Sequence, residues 1–92
     1  MSRFSDLVSR QLDIFAEDGL LEDVREAKTR YDRADRDDAE EAFGDYMDLV
    51  DAVKDALAEM RDRYASTLEG AAADEYEAEF ERVARKRWRW LG

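Results

Sequence analysis

A chain of 92 residues has room for one core, near the lower size at which a domain holds together without disulfide or metal staples. It contains no Cys and no His, which excludes disulfides and thiol chemistry and removes the commonest general base, transition-metal ligand and pH switch. Acids outnumber bases 25 to 15 and Arg outnumbers Lys 12 to 3. The net charge of −10 argues against general nucleic-acid binding by the body of the protein, and the Asp-rich, Lys-poor balance fits either a high-salt cytoplasm or GC-rich codon usage.

The opening residues lack the apolar run of a signal peptide, and no window approaches the ~18 apolar residues of a membrane span, so a cytoplasmic location is expected. Phe4, Leu7, Val8, Leu12 and Phe15 carry helical spacing, which predicts a first helix over about 3–18. Gly19 is expected just past its end, where a positive φ is cheap. The stripe does not continue in phase into Leu21 and Val24, so a break or kink is expected there.

A second helix is predicted over about 20–35, with Leu21, Val24, Ala27, Tyr31 and Ala34 inward. Its phase slips at Arg36-Asp37-Asp38, where Asp37 and Glu40 have the spacing of a capping box. The third helix, about 38–66, is the element around which the chain is organised. Phe43, Tyr46, Val50, Val53, Leu57, Met60 and Tyr64 recur at alternating steps of three and four as one apolar seam. Asp45, Asp48, Asp51, Asp55, Glu59 and Asp62 make an acidic rail on the opposite face. Extra apolar flanks at Ala42, Met47, Leu49 and Ala56 predict two neighbours for its first half; Lys54, Arg61 and Arg63 predict fewer for its second. Gly44 is read either as a point of close helix approach or as having no role.

A turn over Thr67 to Gly70 leads to a fourth helix predicted over about 71–91, with Ala73, Tyr76, Phe80, Val83, Ala84, Trp88 and Leu91 on one broad face. The expected fold is an all-α single domain: a small helical bundle built on a long antiparallel hairpin of the third and fourth helices, with the two shorter N-terminal helices packed near one end.

Carboxylates on helices invite a metal reading, but His is absent and the Glu residues fall mostly on polar faces. Asp32 to Asp38 fails the calcium-loop pattern, since Ala34 and Arg36 occupy ligand positions and no Gly supplies the turn. No Ser or Thr has a His to activate it, and no Gly-rich loop with a following Lys is present. No catalytic residue, metal, cofactor or small-molecule substrate is therefore expected.

The C-terminus stands apart. Arg82, Arg85, Lys86, Arg87 and Arg89 place five positive charges on the last eleven residues with no acid, so the other 81 residues carry ten bases against 25 acids, a formal charge of −15. Interleaved Trp88 and Trp90 suit cation–π contact, base stacking or a lipid headgroup boundary. The same bases can instead favour the macrodipole of the last turn or pair with acidic rails. Together these features predict a non-enzymatic protein–protein interaction or structural module, self-associating as a homodimer through the Phe43–Tyr64 seam in a coiled-coil-like manner. The alternative is a nucleic-acid-associated or membrane-surface accessory protein that uses the segment from Arg82 to Trp90.

Overall fold

The computed structural model describes residues 2–91, and among them there are helices and turns but no strand. The first helix, α1 (Ser5–Ala16), buries Val8, Leu12 and Phe15 from the predicted stripe. It stops at Glu17, and Asp18 begins the next element: its carboxylate accepts a hydrogen bond from the Leu20 amide at 2.8 Å and so caps α2 (Gly19–Arg33). The break falls where the phase slip required it, but Gly19 is the first residue of α2 rather than a C-terminal cap, and its φ is not positive.

Between α2 and α3 (Ala39–Ala65) the turn is organised by Asp35, not by the Asp37 expected from the sequence. Its carboxylate accepts from the amides of both Asp37 and Asp38 at 3.1 Å. Asp37 thus lies within the turn, and Asp38, without a side-chain cap bond, is the residue that precedes α3. Gly70, with φ +48°, turns the chain from α3 into α4 (Gly70–Arg87), in the left-handed region that glycine enters without a Cβ penalty.

α2 runs antiparallel to the N-terminal half of α3, and this is the most extensive helix pair. α4 runs antiparallel to the C-terminal half, where Arg61 pairs with Glu81 at 2.8 Å. α1 lies along α4 in the same direction, joined by Ser5 to Glu79 near one end and Asp13 to Arg87 near the other. The two N-terminal helices therefore divide α3 between them instead of gathering at one end. The result is a rod of 51 × 19 × 19 Å, its length set by the 27 residues of α3.

Two expectations are corrected by this packing. The C-terminal half of α3, not the N-terminal half, is the part with two helical neighbours. Arg61, taken as a solvated flank, has its side chain only 24% exposed because it lies across the interface to reach α4; a long charged side chain can cover a contact as well as avoid one. A Cβ built on Gly44 would meet nothing within 4 Å, so no close helix approach explains that glycine.

The fourth helix also ends earlier than its apolar pattern suggested. It stops at Arg87, Trp88 leaves helical geometry (φ −126°, ψ 84°), and Arg89–Leu91 form a single 3₁₀ turn. Burial decides this. With the break, Trp88 sets its ring edge against Phe15, centroids 5.8 Å apart, while Leu91 joins Leu57, Phe80 and Ala84 in the buried core. Leu91 is left 9% exposed.

Candidate interaction surfaces

The predicted seam of α3 separates into three parts. Val50, Val53 and Leu57 are buried in the central core with Val8, Leu12, Val24, Tyr76 and Phe80. At one end Phe43 is 46% exposed, and Tyr46 is half-buried. The two rings meet Tyr31 of α2: Phe43 is tilted against it at 5.3 Å, and Tyr46 lies parallel to it with centroids 6.4 Å apart. At the other end Met60 and Tyr64 are half-buried. They line a groove of about 300 Å³ between α1 and α3, together with Gln11 and Ile14 of α1 and with Arg63 and Thr67. Ile14 is 63% exposed, the most exposed large apolar side chain. It was not singled out from sequence, although it lies off the stripe of Leu12 and Phe15 and so could not share their core.

The acidic rail is solvent-facing throughout. Asp45 reaches Arg30 at 3.6 Å, Glu59 meets Arg63 at 3.0 Å and Asp62 meets Arg61 at 2.9 Å. Among the described residues Asp48, Asp51 and Asp55 form no ion pair, and none of the C-terminal cations reaches this rail.

Those cations fall into two sets. Arg82 grips Glu79 with two hydrogen bonds, Nε to Oε1 at 2.9 Å and a terminal nitrogen to Oε2 at 3.0 Å. Ser5 donates to the same carboxylate at 2.5 Å. Glu79 is only 6% exposed, and the Arg82 guanidinium and then the Ser5 hydroxyl hold its carboxyl down at about 2, against 4.5 ordinarily. This buried link between α1 and α4 was missed by a reading that placed the Glu series on polar faces. The spacing did carry it: Glu79 stands three residues from Tyr76 and beside Phe80, on the shoulder of the inward face. Arg87 is likewise engaged, donating to Asp13 at 2.7 Å while its guanidinium lies 5.2 Å from the Trp88 ring centroid. Arg85, Lys86 and Arg89 are exposed and make no ion pair among the described residues.

Trp88 and Trp90 do not hang on a frayed end. Trp88 is half-buried and packed against the core; Trp90 is 37% exposed. Both line a second groove, of about 270 Å³, with buried or half-buried Leu21, Val24 and Tyr46 and exposed Arg25, Lys28 and Thr29. No acid lines it.

Two polar features complete the surface. Tyr76, fully buried, donates its hydroxyl to Gln11 at 2.7 Å, and burial raises its pKa. Among the described residues no group of three or more metal-ligating acids converges, and no helix is long and apolar enough to cross a membrane. No family model, curated protein or solved structure matches this chain.

Proposed function

We propose that this chain is a non-enzymatic helical interaction or structural module of the cytoplasm that self-associates. The observation that carries the reading is the open groove beside Ile14. α1 and α3 approach each other around Met60 and Tyr64, but among the described residues no other helix lines the gap on this side, and a 63% exposed Ile stands beside it. A second copy presenting the same groove across a two-fold axis would bury Ile14, Met60 and Tyr64 together, a self-complementary arrangement of the kind a cyclic dimer requires. The seam expected to mediate dimerisation is thereby narrowed. Val50, Val53 and Leu57 are occupied within the chain, which leaves the two ends of the seam, Phe43 with Tyr46 and Met60 with Tyr64, and the second of these has the exposed Ile14 beside it.

Light scattering across the micromolar range tests this. The parent is expected to be dimeric and Ile14→Asp monomeric, with dimer affinity lowered at least about tenfold and no loss of monomer stability. A parent that stays monomeric throughout that range rejects self-association.

A second reading, as an accessory to nucleic acid or an anionic membrane, draws on Arg85, Lys86 and Arg89, exposed and without an ion pair among the described residues. Replacing these three with Gln separates the readings. Parental binding to RNA or anionic vesicles that the replacement abolishes supports the accessory role; absence of such binding in the parent removes it.

A further inference from the structure

The groove floored by Tyr46 and walled by Trp88 and Trp90 has a composition unlike the rest of the molecule. In a chain with 25 acids, its lining holds two cations and no acid. Arg25 and Lys28 pair only with acids on their own helix, Glu22 at 2.6 Å and Asp32 at 2.5 Å, and all four of these side chains are about half or more exposed. Such surface pairs are worth only a few tenths of a kcal/mol and leave both cations able to take a further carboxylate. Arg89, between the two tryptophans in sequence, is exposed and unpaired among the described residues. The groove encloses about 270 Å³, and Trp90, which lines it, keeps 37% of its surface in water.

The geometry points to this groove as a docking site for an acidic amphipathic helix of another protein, with an apolar anchor over Val24 and Tyr46 and flanking carboxylates on Lys28 and Arg25. Charge complementarity selects this occupant. An apolar helix would add nothing to the rim cations beyond their exposed pairs with Glu22 and Asp32, and a basic one would meet them with like charge. The acidic body of the chain opposes an anionic partner at long range, but beyond about 8 Å that repulsion is screened at physiological salt, whereas the rim contacts are direct. Helix-in-groove binding uses anchors at i, i+3, i+4 and i+7, and Trp, Tyr and Arg, all present in this lining, are the residues enriched at energetically dominant contact points.

This surface is separate from the Ile14 groove and does not depend on self-association. The test uses the full chain and a synthetic peptide of about 14 residues, roughly four helical turns, with Leu and Phe at helical spacing among Glu residues. Trp88 and Trp90 are the chain's two tryptophans, so their fluorescence reports on the groove directly. A saturable blue shift is expected with the Glu peptide. Affinity should fall at least about tenfold for the Gln counterpart of the peptide, for Lys28→Gln and for Trp90→Ala, while both variants keep the parental melting temperature and Ile14→Asp binds as the parent does. Equal binding of the Gln peptide, no saturable binding of the Glu peptide, or a fluorescence shift produced only by phosphatidylglycerol vesicles or a single-stranded RNA overturns the proposal.

Discussion

The two ends of α3 are built from the same kinds of residue and reach different degrees of closure. At the C-terminal end, α1 and α4 both lie alongside. Tyr76 disappears completely, with Phe4, Tyr64 and Phe80 rings around it at 5.6, 4.8 and 6.0 Å, and even a carboxylate is enclosed. At the N-terminal end α2 is the main helical neighbour, with Trp88 and Trp90 reaching only the groove beside Tyr46, and the aromatic group of Tyr31, Phe43 and Tyr46 stays partly in water. Two helices offer each other one face each, so a side chain between them keeps an open edge; a third helix closes it. Aromatic content alone does not make a core, and the number of neighbouring helices decides which rings contribute most.

The sharpest way to break this comparison is to remove one ring from each end. Tyr76→Ala deletes a fully buried aromatic and is expected to cost about 3–5 kcal/mol. Phe43→Ala removes a ring that is already 46% exposed and should cost about 1 kcal/mol. Chemical denaturation of the two variants checks the ratio. Equal losses would mean that the α2–α3 end is as tightly packed as the three-helix end. Tyr76→Phe should cost only about 1 kcal/mol, the net worth of the bond to Gln11.

The enclosed carboxylate gives the three-helix end a pH signature. Glu79 titrates at about 2 in the folded chain and ordinarily at 4.5, so its contribution to stability is complete above 4.5 and is lost as pH falls through the folded value. Glu79→Gln should therefore melt below the parent at neutral pH, and the gap should shrink progressively between pH 4.5 and about 2. Asp45→Asn at the other end loses an exposed contact with Arg30 at 3.6 Å and should stay within about 0.5 kcal/mol of the parent. A Glu79→Gln gap that does not change with pH would mean the carboxylate's ionised form is not what links α1 to α4.

The same contrast shows what the residue pattern made legible. Helical spacing placed all four helices, the buried centre of the seam at Val50, Val53 and Leu57, and the solvent-facing rail. It placed Trp88 and Leu91 on one continuous helical face, and there it failed, because local spacing does not register that breaking the helix at Trp88 buries Leu91 on Leu57 and keeps Trp88 on Phe15. Asp35 displaced Asp37 as organiser of the α2–α3 turn for a related reason: both are good turn residues, and the choice is made by where α2 must reverse. The open groove at Ile14 was out of reach of periodicity altogether, since it arises from two helices that meet at an edge without a third to cover them.

The smallest effect belongs to the rail. Asp48, Asp51 and Asp55 stand at successive intervals of three and four on the exposed face of α3, without an ion pair among the described residues. Each like-charge neighbour at such spacing costs a few tenths of a kcal/mol, and salt screens it. Opposing this, exposed pairs such as Arg63 with Glu59 and Lys28 with Asp32 are weakened by the same salt. With a net charge of −10, repulsion outweighs attraction, and the melting temperature should rise by a few degrees from low to moderate sodium chloride, since about 1 kcal/mol moves a domain of this size by roughly 4–8 °C. Replacing Asp48, Asp51 and Asp55 with Asn should raise the low-salt melting temperature and flatten the salt response. A parent whose melting temperature falls with added salt would mean that the ion pairs linking the helices, Arg61 with Glu81 and Arg87 with Asp13 among them, outweigh the rail.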